Sequence, residues 1–101
     1  MMQAKTMLRE LLDATPPLPQ GDVDAEELLA MSTDMLVARQ EKISALTALG
    51  VRLDRNDVEI AHVVEELQER EAEWHAAVAR AQHVVSERLR ACRRLQQVRR
   101  R

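Results

Sequence analysis

Residues 56–98 read NDVEIAHVVEELQEREAEWHAAVARAQHVVSERLRACRRLQQV, a run without proline or glycine. Ile60, Val64, Leu67, Trp74, Val78, Ala81, Val85, Cys92 and Leu95 recur along it in steps of four and three, or their sum. That spacing keeps them on one stripe of a helix. It predicts a single helix over 57–98, on the order of 60 Å long at ~1.5 Å of rise per residue. Nothing else in the chain is long enough to set the architecture.

The rest of the composition agrees. Of 101 residues 46% are apolar and 32% charged, Trp74 is the sole aromatic, and the two glycines and three prolines all precede residue 51. A sheet needs more β-branched and aromatic residues and more turn residues than this, whereas Ala, Leu, Glu, Arg and Gln are the residues of long helices. The chain reads as one all-α domain with no internal repeat.

Toward the N-terminus, Met7, Leu8, Leu11 and Leu12 mark one face of a short helix over residues 1–14. A helix of that length is marginal alone and has to dock. Thr15-Pro16-Pro17-Leu18-Pro19-Gln20-Gly21 stops it, and residues 15–23 form a stiff, extended linker. The same segment is open to a second reading as a Pro-rich ligand for another domain.

Residues 24–101 form a helical hairpin with a basic C-terminal end. Asp22 or Asp24 begins the second helix, and Asp24 followed by Glu27 has the form of a capping box. The second helix then runs to Leu49, with Leu29, Met35, Leu36, Ile43 and Leu46 inward and Glu41 and Lys42 outward. Gly50 and the apolar Val51 form a C-terminal stop, and Asn56 with Glu59 can cap the long helix. A short link between helices makes them antiparallel neighbours.

The two arms are unequal, so the long helix overhangs from about Val84 onward while keeping an apolar stripe. The short N-terminal helix has the right length to cover that overhang; a second copy or a client protein are the alternatives. Glu71 and Arg88 interrupt the seam, which argues against an uninterrupted two-stranded zipper. A wider face that adds Val63, Ala77, Val84 and Ala91 fits a three-helix bundle, as a monomer or a dimer.

Charge is unevenly spread. Residues 1–50 carry four Lys/Arg and eight Asp/Glu (−4), residues 51–73 three and eight (−5), and residues 74–101 eight and one (+7), which together give −2. The basic patch is Arg88, Arg90, Arg93, Arg94, Arg99, Arg100 and Arg101. Part of it complements the helix dipole. The excess could grip nucleic-acid phosphates or an anionic lipid surface. It could also meet an acidic protein partner, or the acidic body of another copy in a self-assembling coiled-coil structural protein. Nucleic acid is disfavoured by the acidic body and the lack of stacking aromatics. No apolar run approaches a membrane span, and no leader pattern opens the chain. The lone Cys92 permits no internal disulfide and fits a reducing cytoplasm.

Chemistry is hard to find. No Gly-rich phosphate loop, nucleophile elbow or CxxC occurs, so the chain reads as non-enzymatic and without a cofactor. Cys92 falls at an inward position and reads as a small buried thiol. Glu59 and His62 have the Glu-x-x-His spacing of di-iron bundles, but no second such motif exists and His62 falls on the outer face, so no metal site is expected.

Glu27-Leu28-Leu29-Ala30-Met31-Ser32-Thr33-Asp34-Met35-Leu36, then Ala38-Arg39-Gln40-Glu41-Lys42-Ile43-Ser44-Ala45-Leu46, with Arg93-Arg94-Leu95-Gln96-Gln97 near the end, resembles small flagellar export chaperones of the FliT/FlgN type. The likeness spans residues 27–98. The Pro-rich interruption and the short first helix depart from the family pattern. The resemblance implies a cytoplasmic chaperone or adaptor that holds an amphipathic segment of a secretion client between helices. The residues expected to bind that partner are Trp74, Val78, Val85, Leu89 and Leu95. Trp74 is the natural anchor unless it plugs the hairpin core instead.

Overall fold

A computed structural model describes residues 2–50 and 56–99, with side chains from Ala4 onward. It holds three helices: α1 (Met2–Asp13), α2 (Ala25–Leu49) and α3 (Val58–Arg99). They form an all-α three-helix bundle, elongated at 67 × 27 × 17 Å because α3 runs its full length. α2 lies antiparallel to α3. α1 lies parallel to α3: Lys5 meets Asp57 at 2.6 Å, and Arg70 donates to the Thr15 carbonyl at 3.0 Å.

Local chemistry sets the helix ends. Asp24 caps α2 by accepting from the Glu26 N–H at 3.2 Å. Gly50 ends α2 in the left-handed region at φ 61°, its N–H on the Thr47 carbonyl at 3.1 Å, a conformation that favours glycine. The α3 cap is Asp57, one residue later than expected: its carboxylate accepts from the N–H groups of Glu59 and Ile60 at 3.0 and 3.4 Å. The stop expected from Val51 lies outside the described residues.

α1 does not cover the overhang. Its buried face, Ala4, Leu8, Leu11 and Thr15, packs at the opposite end of α3, where Leu8 shares a hollow with Ile60 and Val63. Electrostatics explains the choice. Lys5 and Arg9 pair with Asp57 and Glu59, and Glu10 receives Lys42 of α2 at 3.2 Å. Over the basic overhang the same α1 cations would face arginines.

The linker makes that placement reachable. Thr15 sits beside Arg70 and Asp24 beside Arg88, about 27 Å apart along α3 by helical rise. The nine steps between them span roughly 28 Å if extended at ~3.1 Å each. Three prolines stiffen residues 16–19, and the chain then bends at Gln20 and Gly21 before it reaches Asp24. It also serves as packing: Thr15 is fully buried, Leu18, Pro19 and Val23 are half-buried, and the Pro16 carbonyl accepts the Trp74 indole N–H at 2.6 Å.

α2 faces inward through Leu28, Ser32, Met35, Arg39, Lys42, Leu46 and Leu49, spaced four and three. This corrects the expected face in part: Met35 is buried and Leu29 and Leu46 are half-buried as expected, but two others are not. Leu36 and Ile43 are exposed at 55% and 38%, while Lys42 is half-buried. Charged residues sit in this seam because each meets a partner, Lys42 on Glu10 among them. Arg39 donates to Glu71, and Arg88 reaches Asp24 at 3.0 Å. The two interruptions of the α3 stripe are thus its two ion pairs to α2.

Asp57 is held below its usual carboxylate range by the hydrogen bond from Lys5, and Asp24 by the one from Arg88. Both carboxylates favour the folded state above their ordinary pKa of about 3.9, and that contribution is lost as pH falls through the lower folded values. Lys5 is raised by Asp57, so its contribution persists below about pH 10.4 and fades above it. Urea midpoints are therefore expected to hold from neutrality to about pH 5 and then to fall, with Asp57→Asn less stable at neutral pH and less acid-sensitive.

A candidate protein-docking surface

The bundle ends where Asp24 meets Arg88, and α3 continues alone. Along this arm every residue from Ser86 to Arg99 is exposed, including Leu89 at 55%, Leu95 at 65% and Val98 at 71%. Such a solvated helix persists because it extends one already nucleated in the bundle, with cations at its C-terminal end where the dipole favours them. Val98, Cys92 and Leu95 continue the inward rows of Ala77, Val78 and Ala81, but among the described residues no helix stands opposite them. Cys92, expected to be buried, is accordingly an exposed free thiol.

The expected partner-binding residues fall in three environments. Trp74 is 3% exposed with its indole committed to Pro16, so it occupies the core, the alternative reading of that residue. Val78 is half-buried in a groove between α2 and α3, and Val85 is half-buried where the bundle gives way to the arm. Leu89 and Leu95 stand on the arm. Of the basic patch, Arg88 is tied to Asp24, which raises its pKa. Arg90 reaches Glu87 at 3.0 Å. Arg93, Arg94 and Arg99 make no ion pair among the described residues. Arg100 and Arg101 lie outside those residues.

The α2/α3 groove was missed by the sequence reading. It encloses about 590 Å³ and lies away from α1, with Met35, Leu36, Ala72, His75 and Val78 in its walls and the Arg39–Glu71 pair across it. Arg39 is 13% exposed, and its Nε is buried without a hydrogen-bond partner among the described residues. The available signal was the second α2 stripe, Leu29, Leu36 and Ile43, which competes with the buried one and leaves Leu36 and Ile43 facing outward. A smaller hollow of about 350 Å³, between Val23, Leu28, Ala81, Val84 and Arg88, leads from the linker onto the arm.

Other chemistry is sparse. Among the described residues no three His, Cys, Asp or Glu side chains gather as a metal site would require, and His62, His75 and His83 are all exposed. No helix is long and apolar enough among those residues to cross a membrane. Compared with known proteins, the chain matches no family model, no curated protein and no solved structure.

Proposed function

We propose that the protein is a non-enzymatic helical adaptor of the cytoplasm, which docks an amphipathic segment of another protein along the α3 arm. The observation that carries this reading is the unopposed seam: Cys92, Leu95 and Val98 extend the bundle's inward stripe into solvent, flanked by arginines that make no ion pair among the described residues. An amphipathic helix laid there would complete the third side of the bundle. Its polar rim would be acidic, to match Arg93, Arg94 and Arg99, with the charges setting on-rate and register more than affinity. The resemblance to flagellar export chaperones supports the same mode, with a secretion client as the docked segment.

The test is a partner co-purified with the intact chain and mapped by hydrogen exchange, with protection expected over residues 85–99. Leu95→Asp and Val98→Asp are expected to reduce its capture at least tenfold, about 1.4 kcal/mol, with far-UV circular dichroism and urea midpoint unchanged. If both variants bind as the parent does while Arg93→Gln and Arg94→Gln fail, the arm is a charge-only surface and the adaptor reading is wrong.

A further inference from the structure

The back of α3 carries a second pattern that neither the bundle nor the arm's seam uses. At seven-residue spacing it reads Glu65, Ala72, Ala79, Ser86, Arg93, and the row beside it reads Glu69, Ala76, His83, Arg90. All nine side chains are exposed. Glu65, Glu69 and Arg93 make no ion pair among the described residues, and Arg90 has only its exposed neighbour Glu87. Each row is thus acidic at one end, basic at the other, and of small or weakly charged residues between.

We infer that this face pairs two copies of the chain, α3 against α3 in antiparallel orientation about a two-fold axis near Ala79. Parallel pairing would set Glu65 on Glu65 and Arg93 on Arg93. Antiparallel pairing sets Glu65 against the second copy's Arg93 and Glu69 against its Arg90, twice over, as a two-fold interface requires. Ala72, Ala76 and Ala79 fill the middle, where two helices in contact come closest. Seven-residue rows drift by about 20° per heptad on a straight helix, a drift absorbed by the left-handed crossing of such a pair.

The neighbouring row brings in apolar area. Leu89 lies one row nearer α2, in line with His75 and Gln82. In the antiparallel register it descends near Gln68 and Ala72 of the second copy, at the mouth of the groove beside that copy's Leu36 and Ile43. These three residues are 55%, 55% and 38% exposed in the single chain. The charges fix orientation and register, and the apolar residues supply most of the affinity. Cys92, Leu95 and Val98 lie on the other side of α3, so the pair leaves the proposed client seam open, and the two surfaces are separable by mutation.

Sedimentation of the full chain from about 10 to 500 µM, concentrations that bracket a weak pair, is expected to show a monomer–dimer equilibrium that weakens with salt. Glu65→Arg with Glu69→Arg should weaken it at least tenfold, and so should Arg90→Glu with Arg93→Glu. Combining all four substitutions should restore it, which a folding defect would not do. Leu95→Asp should leave it intact. In a Cys92→Ser background, Ala79→Cys should form a disulfide-linked dimer under mild oxidation, because only an axis at that residue brings two copies of it within bridging distance. A monomer throughout the range, a dimer indifferent to both charge reversals, or no cross-link through residue 79 overturns the inference.

Discussion

Trp74→Ala is expected to remove most of the protein's stability. The side chain is 3% exposed, lies between Ser32 and Met35 of α2 and the linker, and donates its N–H to the Pro16 carbonyl at 2.6 Å. Truncating a buried tryptophan typically costs about 3–5 kcal/mol. A domain of this size has only about 5–15 kcal/mol in total, and small helical ones fall at the low end. The loss also reaches the linker, which is tied to α3 at this point through the Pro16 carbonyl. Trp74→Phe keeps most of the apolar contact and gives up the hydrogen bond, a smaller loss of roughly 1–2 kcal/mol. Urea unfolding followed by circular dichroism checks both. A midpoint for Trp74→Ala close to the parent's would mean that the indole is not the core plug described.

Leu8→Ala is expected to be the next most damaging change, although α1 is only 12 residues long. Leu8 is 3% exposed and packs into the hollow with Ile60 and Val63. Its truncation should cost about 2–5 kcal/mol and lower Tm by on the order of 10 °C or more. A helix this short does not hold itself together in water, so a weakened dock should release α1 as a unit. Lys5 and Arg9 would lose their partners with it, and Arg70 would lose the Leu12 and Thr15 carbonyls while keeping Glu66. Leu89→Ala, the same chemical change on the arm, should move stability by no more than about 0.5 kcal/mol. A small loss at Leu8 would show that the ion pairs rather than the apolar face hold α1.

The contrast between these two leucines shows what the sequence reveals of the site. Both sit at helical spacing among apolar neighbours, and nothing within a few residues of either says which one is buried. The difference is the presence of a second element opposite Leu8 and its absence opposite Leu89. The same reasoning covers Cys92, which holds an inward position on a helix that has outrun its partners.

What the sequence determined by itself were the features governed by short-range chemistry. Three helices, their order and nearly their bounds follow from apolar period, from the capping carboxylate of Asp24, from Gly50 and from prolines that cannot continue a helix. The overhang follows too, since rise per residue converts unequal helix lengths into unequal arms. The tertiary structure alone decided which stripe of α2 turned inward, where α1 lay and whether Trp74 was core or anchor. Leu29, Leu36 and Ile43 form as good an apolar row as the one that is buried. The choice fell to Ser32, Met35 and Arg39 because Trp74 and Glu71 of α3 stand opposite them. Likewise α1 went to the acidic end of α3 because Lys5 and Arg9 meet Asp57 and Glu59 there. Pairings between residues tens of positions apart leave no periodic trace in the chain, and each is fixed only when the elements that carry the two partners have met.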